Sequence, residues 1–391
     1  MNSNELTNKH GRLLVLTACL LITFCMGTVH AFSTLIHNIE LQSHVGRMAS
    51  SLVYSTALIN VTLAVYLGHI LYRKFSPKTL ISLIAMLPII GLFFSSSGSW
   101  VGWIVGYGIF FGFSSGLGYG LSLYIVSSVT KKKELGFALG LVTACYAFGA
   151  VIFSMIYPLL FDFFGFENGY IIGLVILSSI VVVGLILFIT SKVKVDLESF
   201  VNHQKDTNKP KILKLWLGYF LGVFAGLMII GHAVPLINSF GGSASTSITA
   251  ITLMTLGSGI AGIFAGWLVD RFGCKRPLLA ILMINALAIL ALSIMTNINL
   301  LIILLVLIAS LYGAVIAIYP TLVSHIVGSN LSAAVYGRVF TAWGFAGLIS
   351  PSLAGWLFEK NNNYDVSIIL TFTISVVAIL IIWTIKYSIK D

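Results

Sequence analysis

The stretch Gly266-Trp-Leu-Val-Asp270-Arg271-Phe-Gly273-Cys-Lys275-Arg276-Pro277 sets one acid, three bases and two glycines inside an otherwise apolar sequence. No Asp, Glu, Lys or Arg occurs from Leu215 to Val269, nor from Pro277 to Gly337. A helix crossing the hydrocarbon core of a bilayer needs about 20 mostly apolar residues. The stretch therefore reads as a short loop at a membrane face, joining two crossing helices. Its bases assign that face to the cytoplasm, because Lys and Arg accumulate there.

The rest of the chain follows the same pattern. Of its 391 residues, 58% are hydrophobic and only 9% charged, with a mean hydropathy of +1.02. Soluble domains carry about 25% charged residues, so this composition excludes a cytosolic enzyme, a disordered protein and a nucleic-acid binder. Apolar runs between polar breaks predict twelve spans: 13–37, 47–72, 79–97, 101–128, 136–161, 169–191, 214–239, 245–269, 277–296, 299–327, 337–358 and 366–387. With both termini in the cytoplasm, every Lys and Arg except Arg47 and Lys360 falls inside, while the acids show little bias. That one-sided sorting is the positive-inside rule. The net charge of +10 thus reports topology, not an acidic partner. Cys19, Cys25, Cys145 and Cys274 have neither metal nor disulfide spacing.

The longest polar segment, 192–213, separates residues 1–191 from 214–391 and predicts two six-helix bundles joined by a cytoplasmic linker. The halves echo each other. His30-Ala31 lies 18 residues after Arg12, and His232-Ala233 lies 18 after Lys214. Internal repeats of this kind are common in secondary transporters. The expected fold is all-α and integral to the membrane: twelve transmembrane helices in two pseudo-symmetric bundles.

The Gly266–Pro277 loop resembles the loop signature of the major facilitator superfamily. In that family's pattern Asp270 faces the start of the fifth span near Gly136, and Gly266, Asp270, Arg271, Gly273, Lys275 and Arg276 form a conformational latch. A carboxylate is favourable near the positive N-terminal end of a helix. The first-half counterpart, Gly68-His-Ile-Leu-Tyr72-Arg73-Lys74, has Tyr72 where the signature has Asp, so one of two latches is expected to be weak.

Further segments resemble the oxalate/formate antiporter and monocarboxylate transporter branch: Ala225–His232, Tyr312–Val323 and above all Tyr336–Pro351. The resemblance implies alternating access around a central cavity lined by the first, fourth, seventh and tenth spans. It also implies a small organic anion of the monocarboxylate kind as cargo, with a proton as candidate co-substrate. Two departures argue against a dicarboxylate. Gly262 and Trp343 stand where oxalate-type members carry an Arg and a Lys, and a fully ionised dicarboxylate without counter-charge is costly in a low-dielectric cavity. An exporter of a larger amphipathic solute, of the drug or siderophore class, is the alternative.

No charged side chain falls deep in a span, so recognition is left to histidines, hydroxyls and indoles. The substrate-contact candidates are His30, His232, Tyr119, Tyr124, Tyr146, Tyr312 and Trp343. At about 1.5 Å per residue, the 18-residue spacing puts both histidines about 27 Å from the inner basic residue. Histidine titrates near physiological pH and can hold a proton beside an anion. A hydrogen-bonded histidine between helices, and aromatics at the membrane interface, are the plainer alternatives. His37 follows His30 by two turns without Cys, Asp or Glu beside it, so no metal site is expected. No cofactor is expected, and neither is an enzyme. The chain is expected to act as a monomer within the lipid bilayer. Its short loops favour a bacterial inner membrane.

Overall fold

The computed structural model of the protein describes residues 3–193, 195, 209–361 and 363–385. Most of the linker expected over 192–213, including Lys194 and Lys205, and the C-terminal Lys386 and Lys390 lie outside the described residues.

The elements run in order α1 (Ser3–Gly27), a 3-10 stretch (Thr28–Thr34), α2 (Ile36–Ser43), α3 (Arg47–Lys74), α4 (Pro77–Ser95) and α5 (Trp100–Trp103). A π-helical stretch (Ile104–Phe111), α6 (Gly112–Val129), a 3-10 turn (Lys132–Glu134), α7 (Leu135–Phe164) and α8 (Phe166–Thr190) follow. The second half comprises α9 (Lys209–Gly231), α10 (Ala233–Ser239), α11 (Ala244–Phe272), α12 (Lys275–Leu292), α13 (Ile298–Val327), α14 (Ser329–Asn361) and α15 (Asp365–Thr384). No strand occurs among the described residues.

Eleven of these segments are long and apolar enough to cross a membrane. The one expected span not among them, 337–358, lies in α14, which at 33 residues has the length but not the apolarity. Its Gly, Ser, Thr and Pro content, from Gly337 to Gly355, explains the deficit.

Helix ends follow local chemistry. Ser76 accepts the amide of Thr79 ahead of Pro77, Ser243 accepts that of Thr246, and Asn297 caps α13 through two amides. Gly273, at φ +75°, ends α11 in a conformation that side chains disfavour.

The described residues cluster into two units. One is drawn from Met1–Thr130, Cys145–His203 and Ser329–Gly337; the other from Lys131–Ala144, Gln204–Gly328 and Arg338–Asp391. In the first, α6 buries every residue from Ser114 to Val126, among them three glycines that let α1 and α3 pack close. In the second, Ala225, Ile229, Ile237, Ile289, Leu305 and Ile308 head an apolar core shared by α9, α10, α12 and α13.

Two spans that hydropathy reads as continuous are broken. The first, expected over 13–37, leaves α geometry at Gly27, where a Cβ would collide with the backbone of Tyr146. The seventh, expected over 214–239, breaks between Gly231 and Ala233. Pro235 accounts for that break: it has no N–H for the carbonyl of Gly231, and its ring clashes with it. His30 and His232 sit in these two breaks.

Candidate functional site

His30 lies in the 3-10 stretch, half-buried. Its Nδ1 is 2.7 Å from the Tyr54 hydroxyl on α3. A phenol is a stronger acid than a neutral imidazole, so Tyr54 donates, which assigns His30 the tautomer with its proton on Nε2. The His30 ring packs edge-on to Tyr146 of α7, at 5.5 Å between centroids, and Tyr119 of α6 lies 5.0 Å from Tyr146. Ser115 donates to the Met26 carbonyl at 2.8 Å. A hydroxyl has one proton, so in its 2.8 Å contact with Ser115 the Tyr146 hydroxyl is the donor. Three expected contacts, His30, Tyr119 and Tyr146, are thus brought together in one unit with Tyr54 and Ser115.

His232 has different company. Its Nε2 donates to the Pro351 carbonyl at 2.9 Å, which fixes the neutral tautomer, and its Nδ1 accepts from Tyr364 at 3.1 Å. Both ring nitrogens are bonded within α14 and the turn before α15, the arrangement of a histidine that ties helices together. Tyr364 in turn stacks on Phe358 at 4.6 Å. Partial burial there raises the Tyr364 phenol above its usual range, so it stays protonated and a donor.

The remaining expected contacts fall in two other places. Trp343 of α14 donates its indole N–H to the Tyr312 hydroxyl of α13 at 2.7 Å, with Phe340 stacked on the indole. An indole only donates, so the Tyr312 proton points away from Trp343. Tyr124, 4% exposed, stacks on Tyr72 at 5.4 Å, apart from the His30 group.

At the C-terminal end of α11, Asp270 accepts the Gly136 amide at 2.6 Å and the Phe137 amide at 2.7 Å, one on each oxygen. These N–H groups open α7 and have no partner within that helix, so the carboxylate satisfies both and meets the positive end of the dipole. Gly266 permits this: its Cα faces Gly136 so closely that a Cβ would collide with the Gly136 carbonyl. Arg271 lies over the rings of Trp267 and Phe272, at 5.6 and 5.8 Å. Lys275 caps α15 through the carbonyls of Trp383 and Ile385, at 2.7 and 3.1 Å. Arg276 is exposed. In the first half Tyr72 is buried at 3% exposure, its hydroxyl packed against Gly68 and Gly120.

Tyr54, Ser115 and Tyr364 are not among the residues singled out by sequence. For the first two a signal existed: Ser50-Ser51-Leu-Val-Tyr54-Ser55-Thr56 and Ser114-Ser115 are hydroxyl-rich runs inside spans, where polar groups are expensive unless used. Among the described residues, no group of three His, Cys, Asp or Glu could hold a metal ion.

The profile of the Major Facilitator Superfamily matches residues 16–235 and 215–389. A monocarboxylate transporter 12 of Xenopus laevis is 28% identical over 168 residues, covering 42% of this chain and 36% of the relative. An oxalate:formate antiporter of Oxalobacter formigenes is 23% identical over 280 residues, covering 67% and 64%. The chain thus aligns with less than two thirds of the length of either relative. The E. coli fucose:proton symporter superposes with a TM-score of 0.74 at 16% identity, covering 97% of this chain and all of that one, a likeness of fold.

Proposed function

The chain belongs to the major facilitator superfamily, and we propose that it is a secondary carrier, not an enzyme, that moves a small monocarboxylate with a proton by alternating access. The observation that carries this reading is the group around His30: an imidazole, three phenols and a hydroxyl from four segments, with no charged side chain among them. Such a group offers neutral donors and one titratable nitrogen. A carboxylate that arrives with its proton is neutral as a pair, so it avoids most of the cost of burying an ion. In the second half, Trp343 and Tyr312 give a second neutral donor pair, and Gly262 adds no cation. The named relatives, a monocarboxylate transporter and an oxalate:formate antiporter, support a small carboxylate. The missing cations favour one carboxylate over two.

In this scheme His30 takes a proton from the outer water as the anion arrives, and gives it up on the other side, with Tyr54 bonded to its Nδ1. His232, with both nitrogens bonded, holds helices. Asp270 acts as the cytoplasmic clamp, and Tyr72 supplies no equivalent.

The test is uptake of labelled lactate, pyruvate, formate and oxalate into proteoliposomes, with and without an inward proton gradient. Gradient-dependent uptake of a monocarboxylate, with oxalate left out, is the expected result. Silence for all four, together with competition for binding by bulky hydrophobic compounds, would favour the exporter.

A further inference from the structure

At Gly27 the first span passes from α into 3-10 geometry, which moves each main-chain hydrogen bond from the fourth residue on to the third. A carbonyl has two lone pairs, so a carbonyl near this transition can also take a side-chain donor, and within lipid such donors come from neighbouring spans. The fourth span supplies two. Tyr107 donates to the Val29 carbonyl at 2.9 Å, and Ser115 donates to the Met26 carbonyl at 2.8 Å. Val29 immediately precedes His30. Tyr107 is 1% exposed, and its ring packs on Phe32 at 5.2 Å, so both ends of the 3-10 turn around His30 rest on it.

Tyr107 also lies at the middle of the π-helical stretch Ile104–Phe111. A π turn carries an extra residue and re-aims the side chains that follow, and such turns recur at functional positions. Gly106 and Gly108 let the widened turn fit. A Cβ at Gly106 would collide with the Gly91 carbonyl of α4, and one at Gly108 would press on Thr56 of α3. The break at His232 is built differently, on Pro235 and on bonds to the imidazole itself.

We infer that Tyr107, with Ser115, is a positioning residue for His30: the π-helical turn of the fourth span aims a hydroxyl at the Val29 carbonyl and so sets where the imidazole stands. The inference rests on the reading of His30 as a substrate and proton contact for its functional consequence, but not for its structural one.

The test uses full-length protein labelled with 15N-histidine in lipid nanodiscs, with His30 ring signals assigned by their loss in His30→Gln. In Tyr107→Phe the ring and its packing stay and only the donor goes. The His30 ring resonances should move while those of His232 stay in place. Half-saturation for labelled lactate should rise about fivefold, with the maximal rate held within about twofold, as for the loss of one hydrogen bond. Ser115→Ala should move the same resonances and serves if Tyr107→Phe folds poorly. Unmoved His30 signals in both variants overturn the inference, as does unchanged half-saturation in Tyr107→Phe when His30→Gln weakens gradient-driven uptake. If the wild-type protein carries no lactate, the functional reading fails by itself, and the ring resonances decide the positioning role.

Discussion

His30 and His232 stand at matching points of two spans, 18 residues after Arg12 and Lys214 respectively, and each where a helix breaks. Their surroundings differ in kind. Around His30 two main-chain carbonyls take the hydroxyls of Tyr107 and Ser115, and the imidazole bonds Tyr54 and packs on Tyr146. Around His232 the imidazole itself is the cap, donating to Pro351 and accepting from Tyr364. The C-terminal ends of α3 and α11 differ in the opposite sense. The second half keeps a carboxylate on two helix-opening amides, and the first half has a buried tyrosine stacked on Tyr124. The two halves thus differ at both points: in one, hydroxyls bond the main chain beside the imidazole, and in the other a carboxylate holds the opening of a helix.

The sharpest way to break this comparison is to remove the clamp. Asp270→Ala takes away two charge-assisted hydrogen bonds and should lower the initial rate of lactate uptake about a hundredfold. Tyr72→Asp should not compensate for it. It buries a carboxylate against Tyr124 and leaves a cavity, so the double variant should be less stable than Asp270→Ala alone, as read by thermal unfolding. Compensation by that substitution would mean the two loops are equivalent after all.

The next largest effect separates the histidines. His30→Gln should weaken proton-gradient-driven uptake about tenfold while leaving lactate counterflow within about twofold, since exchange needs no net proton movement. His232→Gln should weaken both modes alike and cost roughly 1–3 kcal/mol of stability through the lost bonds to Pro351 and Tyr364. If the two variants behave the same way, the division between a working and a structural histidine fails.

A smaller effect is expected at Cys274, which is fully buried beside the clamp. Burial, and to a lesser degree the Asp270 carboxylate, push its thiol up to about 12. The reactive thiolate is therefore scarce at neutral pH and gains only as pH approaches that value. A polar maleimide should leave Cys274 unlabelled at pH 7 in the wild-type protein, and Asp270→Ala, which opens the packing and removes the negative charge, should raise its labelling.

Much of this architecture was legible before any coordinates. Apolar length marked the spans because a bilayer imposes a length, and Asp270 was marked by the spacing of its loop. Tyr72 stood out as a departure for the same reason. The breaks were not legible in the same way. Gly27 sits in a run as apolar as any other, and its closeness to the backbone of Tyr146, more than a hundred residues away, shows only in the fold. Pro235 is a legible breaker, but it does not reveal what His232 bonds. Nor could spacing reveal a hydroxyl's direction. Tyr107 looks like any buried aromatic until the π turn aims it at Val29. His30 and His232 looked alike because their own neighbourhoods in sequence are alike; their partners come from Tyr54, Pro351 and Tyr364, on other helices.

The most direct test of a neutral site that accepts a proton with its anion is to watch the proton. Lactate added outside weakly buffered proteoliposomes should make the external medium more alkaline at the rate at which label enters. His30→Gln should abolish that alkalinisation. Lactate entry with no change in external pH would contradict the account.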